Sequence, residues 1–190
     1  MSPKSANTAK QNTRDLILQA AIARFCKNSY DETGLRDIAG DVGVDVAYVH
    51  RSFGSKERLF LAALDASTDG GVVEKMMSDE PLSRTIACLV ADAPSHEQQR
   101  NEPLDIILRS LSSQKASAIL RDKVQAELVE KLSEKMTGPA ELRASMIVAV
   151  LLGTGIARNL LKLPAFEKTP EDQIRRMVEN ILDAIINGDS

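Results

Sequence analysis

Residues 35–53, LRDIAGDVGVDVAYVHRSF, decide the fold of this chain because they predict two short helices joined by a turn at Gly43. Glycine adopts a positive φ without steric cost, so it suits such a turn. Two short helices joined in this way form a helix-turn-helix, which places its second helix in the major groove of DNA. We expect six positions to form the core of the motif: Ile38, Ala39, Gly43, Val44, Val49 and Phe53.

The flanking residues extend this motif to a small helical domain. Residues 14–25 have apolar side chains at helical spacing and predict an amphipathic first helix over residues 12–27. Thr33 is a plausible cap for the helix that begins at Leu35, and Ser55 for the helix that begins near Lys56. We therefore predict a helix-turn-helix domain over residues 12–58, preceded by a flexible arm over residues 1–11.

The remainder of the chain also reads as helical. Prolines at positions 81, 103, 139 and 170 stand where first-turn prolines belong. The fold class is therefore all-α, with the N-terminal helix-turn-helix domain followed by a C-terminal helical domain for dimerisation and ligand binding over residues 59–190. The predicted helices of that domain cover residues 72–77, 82–93, 103–113, 117–136, 139–163 and 170–187.

Composition and charge fit a globular protein with a weakly basic N-terminal part. Of the 190 residues, 43% are hydrophobic and 27% are charged, which is ordinary for a soluble domain. Residues 1–58 hold nine Lys or Arg against seven Asp or Glu, whereas the remainder holds 15 against 20. Since phosphate contacts need local rather than overall positive charge, this split agrees with DNA binding at the N-terminal end.

Targeting and cysteine patterns favour the cytoplasm. The N-terminal residues are polar, without the apolar segment of a secretory signal. The longest uncharged apolar run, residues 144–157, is shorter than the roughly 20 residues that span a bilayer, so no membrane partner is expected. The two cysteines, Cys26 and Cys88, make no disulfide framework and fit a reducing compartment. A redox-sensing role for them stays open.

The sequence gives little support to an enzymatic function. Two histidines and two separated cysteines offer no metal-ligand spacing. Neither a G-x-S-x-G nucleophile motif nor a glycine-rich nucleotide-binding loop is present. We therefore expect no catalytic residues, no metal and no cofactor.

Two C-terminal segments predict a subunit interface. Residues 146–152 are apolar on every side of a helix, and several nearby residues are small enough for close helix packing. Two such helices from each subunit would form a four-helix interface of a homodimer. A buried central helix in a monomer is the alternative. The predicted interface comprises Met146, Ala149, Val150, Gly153, Ile156, Ala157, Leu160, Ile174, Val178, Ile181, Leu182 and Ile185.

The N-terminal 60 residues carry a spaced pattern: R-x-x-I-L-x-A-A-x-x-x-F from Arg14, Y-x-x-T from Tyr30, I-A-x-x-x-G-V from Ile38, and F-x-S-K-E-x-L from Phe53. This pattern resembles the DNA-binding domain of the tetracycline-repressor (TetR) family of bacterial transcription regulators. The resemblance implies a homodimeric DNA-binding protein, most simply a repressor, whose two heads bind a palindromic operator. An interaction or scaffold protein without specific DNA binding is the alternative function.

The resemblance also implies which residues contact DNA. In the family, positions matching Thr33 and Lys56 hold phosphates, and Arg36 would reach a phosphate or a guanine edge unless it is merely a solvated surface residue. The second helix departs from the usual pattern G-V-S-x-G-x-L-Y-x-H-F. Here Asp45 replaces a serine and remains a good cap. The expected contacts from this helix are Ala47, Tyr48, His50 and Arg51.

In this family the C-terminal domain usually binds a small-molecule effector. Apolar and polar residues suited to such a pocket are Met77, Ile107, Leu108, Arg109 and Leu111. They can equally be ordinary core and surface positions, and the sequence does not identify the effector.

Overall fold

The computed structural model describes residues 3–68, 75–78, 80–91 and 102–188, in which all regular elements are helices. The predicted all-α fold class is confirmed. The helices are α1 (Pro3–Phe25), α2 (Leu35–Val42), α3 (Val46–Phe53), α4 (Lys56–Ser67), α5 (Leu82–Ala91), α6 (Glu102–Ser110), α7 (Gln114–Val124), α8 (Glu130–Ser133), α9 (Ala140–Gly155), α10 (Pro164–Lys168) and α11 (Glu171–Asn187). Two π-helical turns, Gln125–Val129 and Ile156–Leu160, follow α7 and α9.

The chain forms two compact units that differ from a simple division at residue 58. Unit 1 comprises Met1–Asp69 and Glu102–Leu120, and unit 2 comprises Gly70–Asn101 and Arg121–Ser190. Unit 1 therefore includes α6 and most of α7, which lie far along the chain from α1–α4. The boundary after residue 58 stays a prediction, as does mobility of residues 1–11; α1 begins at Pro3 rather than at the expected residue 12.

Unit 1 has a core centred on three aromatic rings. The α1 side chains Ile17, Ala21 and Phe25 follow one another at four-residue spacing and are fully buried, because that spacing keeps them on one face of a helix. The Phe25 and Tyr30 rings each meet the Phe60 ring edge to face, at 5.0 and 5.1 Å between centroids. This aromatic cluster fixes α4 against α1 and supports the motif between them.

Local backbone chemistry sets the helix-turn-helix. Gly43 ends α2 with φ of 73°, and the Val44 amide donates to the Ala39 carbonyl at 3.0 Å. Asp45 then begins α3 by accepting a hydrogen bond from the Ala47 amide at 2.7 Å. Ser55 caps α4 through the Arg58 amide. The caps predicted at Asp45 and Ser55 are therefore present.

Thr33 does not cap α2, contrary to the sequence prediction. The N-cap is Gly34, whose amide donates to the Asp37 carboxylate at 3.1 Å. The Thr33 hydroxyl is buried and donates to the Ser29 carbonyl at 3.0 Å. The hydroxyl therefore belongs to the turn after α1 and does not accept a hydrogen bond from an amide of α2.

Unit 2 packs α5 against α9 and α11 around a second apolar core. The guanidinium of Arg158 is buried there and donates to the carbonyls of Val90 and Ala91, at the C-terminal end of α5. The Nη2 atom of Arg158 lies 3.3 Å from Oε1 of Glu171. Arg158 thereby satisfies carbonyls that the end of a helix leaves without partners.

Several helix bounds in the second half differ from the expected ones. The helix expected over residues 117–136 begins at Gln114 and passes through a π-helical turn, and α10 was not expected from the sequence. Of the expected helix 72–77, residues 72–74 lie outside the described residues. In the described part of the chain one helical stretch, Ala140–Leu160, is apolar and, at 21 residues, long enough to cross a membrane. This stretch is longer than the uncharged run of residues 144–157 because it also includes charged residues on both sides of that run.

Candidate nucleic-acid interface

Helix α3 has one buried face and one exposed face. Val49 and Phe53 are buried in the core of unit 1, as are Ile38 and Ala39 of α2. Ala47, His50 and Arg51 are exposed on the other side of α3. A helix held on one face and free on the other is able to present side chains to a groove.

Positive charge gathers around the C-terminal part of α3. The Arg51 guanidinium lies 5.7 Å from the centre of the Tyr48 ring. Arg14, from α1, places its guanidinium 4.5 Å from the centre of the Phe53 ring. In the sequence, Arg14 stood out only as part of the family pattern. Its position three residues before the buried Ile17 places it next to the buried face of α1, and this was the available signal.

His50 is exposed but already has one partner. Its Nδ1 lies 3.2 Å from the Gly54 carbonyl oxygen, which only accepts, so Nδ1 carries the hydrogen of this contact. In the neutral ring Nε2 is then an acceptor, and only the protonated ring has a second donor for an anion.

Tyr48, which was expected to contact DNA, is half-buried. Its ring packs against the unit 1 core and under Arg51. Val46 and Tyr48 both pack against that core, so neither side chain lies fully on the exposed face of α3. The ring thus serves as a support for the arginine.

The two expected phosphate contacts next to α3 are both engaged within the protein. The Thr33 amide donates to the Ser29 and Tyr30 carbonyls, so neither its hydroxyl nor its amide is available. The Lys56 ammonium lies 4.2 Å from the centre of the Tyr30 ring. Burial lowers the pKa of Lys56, although Asp31 and Glu57 oppose that shift. Arg36, in contrast, is exposed in the first turn of α2.

An ion pair holds α2 against α1. The Nε and Nη2 atoms of Arg24 donate to the two oxygens of Asp41, at 2.6 and 2.8 Å. This bidentate geometry lowers the pKa of Asp41 and neutralises a carboxylate next to the helix-turn-helix. The sequence separates the two residues by 17 positions and gave no signal for the pairing.

The residues expected at a subunit interface divide into two groups. Ile174, Val178 and Leu182 are buried in the core of unit 2. The protomer itself therefore covers these side chains and leaves little of their surface for a partner. The other group is exposed or half-buried: Met146, Ala149, Val150, Gly153, Ile156, Ala157, Leu160, Ile181 and Ile185. The spacing of apolar residues on α11 did not distinguish the two, because its inner and outer faces are both apolar.

The residues expected to bind a ligand do not share one compact unit. Met77 packs against the core of unit 2, whereas Ile107 packs against the core of unit 1. Arg109 and Leu111 are exposed and Leu108 is half-buried. Among the described residues no cluster of His, Cys, Asp or Glu has metal-binding geometry, and no disulfide joins Cys26 and Cys88.

Comparison with known families identifies the chain. Residues 17–63 match the family described as "Bacterial regulatory proteins, tetR family", and residues 79–186 match "Tetracyclin repressor-like, C-terminal domain". The chain belongs to the TetR family of transcriptional regulators. The first match contains the helix-turn-helix, and the second extends over more than half of the chain. No functionally curated protein matches the sequence.

Solved structures of a TetR-family regulator, a repressor and a multidrug-binding protein share the fold. A regulator from Streptomyces coelicolor A3 is 27% identical, with 93% of this chain and 96% of that chain covered and a TM-score of 0.59. NalD, the secondary repressor of the MexAB-OprM multidrug efflux pump in Pseudomonas aeruginosa, is 18% identical, with 96% and 100% covered and a TM-score of 0.65. The multidrug-binding protein EbrR, solved with ethidium, is 20% identical, with 92% and 98% covered and a TM-score of 0.62.

Proposed function

We propose that this TetR-family regulator is a cytoplasmic homodimer that represses transcription from a palindromic operator and releases it when a small-molecule effector binds. The observation that carries the DNA-binding part is the exposed face of α3, with Ala47, His50 and Arg51 opposite the buried Val49 and Phe53. Two such helices related by a two-fold axis read two half-sites in successive major grooves.

Each exposed residue of the head has a distinct role in this proposal. Arg51 and Arg36 contact phosphates or guanine edges, and Ala47 meets a thymine methyl group. Arg14 adds a phosphate contact from α1. His50 contacts a phosphate in its protonated form. Lys56 contributes to DNA binding only if its ammonium leaves the Tyr30 ring.

Exposed apolar side chains on α9 and α11 support the homodimer. Met146, Met177 and Ile181 are 49%, 59% and 48% exposed, and only 17% of the most apolar window of Ala140–Leu160 is buried. Apolar patches of this kind on a soluble protein mark interaction surfaces. A second copy covers them by pairing two helices from each protomer.

The proposed regulation is a shift between two conformations. An effector that prefers the DNA-incompetent conformation lowers operator affinity by its differential affinity for the two states. EbrR, solved with ethidium, is a relative of similar fold that binds a small molecule. For this chain we propose a small-molecule effector without assigning its chemical class.

Selection of bound DNA from a random pool tests the DNA-binding proposal. We expect the purified protein to enrich a palindromic site, and the Arg36→Ala/Arg51→Ala variant to lose it. The matched control is Arg121→Ala/Arg176→Ala, which removes the same charge from exposed arginines elsewhere. Absence of enrichment at low salt, where electrostatic binding is strongest, would instead support a scaffold protein without specific DNA binding.

Sedimentation analysis of Met146→Glu/Ile181→Glu tests the homodimer. Two carboxylates placed in an apolar interface lose hydration without gaining partners, so we expect monomers. Leu111→Glu changes a similarly exposed apolar residue of unit 1 and should leave the dimer intact. A wild-type protein that sediments as a monomer would contradict the proposal.

A further inference from the structure

The start of α7 contacts both flanks of the helix-turn-helix. Ser113, directly before α7, donates its hydroxyl hydrogen to Asp31 at 3.0 Å. Lys115, in the first turn of α7, forms an ion pair with Glu57. Asp31 precedes the start of α2 by four residues, and Glu57 follows the end of α3 by four residues. Two positions that are two residues apart thus hold both ends of the motif.

The contact at Asp31 is made by a buried hydroxyl. Ser113 is 1% exposed and also accepts a hydrogen bond from the Ala116 amide, which caps α7. A hydroxyl that donates to a carboxylate forms a stronger bond than one between neutral groups. The turn between α1 and α2 is therefore joined to the N-terminal end of α7.

The contact at Glu57 lies at the beginning of α4. Its carboxylate meets Lys115 and also the Ser55 hydroxyl, and these bonds hold the pKa of Glu57 far below its usual range, at about 2. The Glu57 and Lys115 side chains are 31% and 63% exposed. An ion pair this exposed adds little to global stability. The effect to measure is therefore the orientation of α3.

We propose that Asp31, Glu57, Ser113 and Lys115 form a latch through which the start of α7 positions α3 for the operator. This inference rests on the proposed DNA-binding function. A helix pair anchored at both ends to one short segment cannot tilt without breaking a contact. Asp31 and Glu57 belong to the region that matches the N-terminal family description, and Ser113 and Lys115 to the region that matches the C-terminal one. A displacement of α7 would therefore change the orientation of α3.

The direction in which operator affinity changes distinguishes the latch from a purely electrostatic effect of removing a charge. Asp31→Ala and Glu57→Gln each remove a negative charge from a DNA-binding domain, which by electrostatics alone strengthens binding. The latch predicts instead that each variant binds the selected operator about three- to tenfold more weakly. Lys115→Gln should weaken binding equally, and should add little when combined with Glu57→Gln, since both break one contact.

Three controls separate positioning from folding and from direct phosphate contact. Lys115→Arg keeps the positive charge and should retain wild-type affinity. Lys131→Gln removes a charge from an exposed position of unit 2 and should change nothing. If Lys115 does not touch DNA, the slope of affinity against salt concentration stays the same in Lys115→Gln. Affinities are measured well below the melting temperature of each variant.

Amide hydrogen exchange tests the latch without DNA. In the Asp31→Ala/Lys115→Gln variant we expect amides of residues 35–53 to exchange at least several-fold faster, because the motif has lost both anchors. Unchanged exchange there, or tighter operator binding by Asp31→Ala and Glu57→Gln, would overturn the latch. A wild-type protein that enriches no DNA would refute the proposed function, while the exchange experiment would still decide the latch.

Discussion

Unit 1 and unit 2 differ in how completely they bury their large apolar side chains. Among the described residues, seven of the nine large apolar side chains that remain exposed lie in unit 2, and two lie in unit 1. Unit 1 closes around the Phe25, Tyr30 and Phe60 rings and leaves charged and polar groups outside. The comparison teaches that unit 1 completes its own core, whereas unit 2 leaves apolar surface exposed, as the proposed homodimer requires.

The largest expected effect tests whether the core of unit 1 is self-sufficient. Phe60→Ala removes a fully buried ring that touches two others, so we expect a loss of about 3–5 kcal/mol in the free energy of unfolding. Urea denaturation measures it. Leu16→Ala, at an exposed position of α1, should cost less than about 1 kcal/mol. Similar losses for both variants would contradict a closed core.

The next prediction concerns the buried polar anchor of unit 2. Arg158→Met fills the space of the side chain but leaves the Val90 and Ala91 carbonyls without a donor. We expect a loss of about 2–4 kcal/mol in unfolding free energy. Glu171→Gln changes only the outer, exposed partner and should have a small effect. If the glutamine variant is equally destabilised, the ion pair rather than carbonyl capping holds this part of unit 2.

Two glycines of unit 1, Gly40 within α2 and Gly43 directly after it, isolate the backbone contribution to the turn. Gly43 has φ of 73° and Gly40 is helical, yet a Cβ atom at either position meets nothing within 4 Å. Gly43→Ala should therefore cost about 1–2 kcal/mol from left-handed strain alone. Gly40→Ala should stabilise the protein by up to about 1 kcal/mol because alanine favours a helix. Thermal unfolding of the two variants should shift in opposite directions.

The smallest expected effect is a pH dependence arising in unit 1. Hydrogen bonds from Lys115 and Ser55 lower the pKa of Glu57 from an ordinary value of 4.5 to about 2 in the folded protein. A carboxyl group with a lowered pKa stabilises the fold above its unfolded pKa and loses that stabilisation as the pH falls through the folded pKa. Between about pH 4.5 and 2 we expect a loss of about 1 kcal/mol, reduced by solvent screening. Stability curves of Lys115→Gln should be flatter over this interval.

Local signals predicted the helix-turn-helix well. Gly43, Asp45 and Ser55 each act through bonds to residues within a few positions, so their roles were visible in the sequence. Thr33 shows the limit of this reasoning. Its residue type suits a helix cap, but its buried hydroxyl donates to the Ser29 carbonyl instead of accepting from an amide of α2, and Gly34 becomes the N-cap.

Side-chain pairings over long separations could not be predicted. Arg24 with Asp41, Ser113 with Asp31 and Lys115 with Glu57 are each far apart in the chain. Charged and hydroxyl side chains occur throughout the sequence, and periodicity does not indicate which distant partner each will meet. The same limit applies to α11, where periodicity marks apolar residues without stating which face the protomer covers.

The sequence by itself determined the all-α class, the helix-turn-helix and the family, because these depend on residue spacing within one or two helical turns. The tertiary structure decided that α6 and most of α7 join the DNA-binding unit, that Lys56 lies over the Tyr30 ring, and that Ile174, Val178 and Leu182 are core residues. The physical reason is that burial and charge pairing depend on which distant segments pack together, and a one-dimensional pattern constrains that packing only weakly.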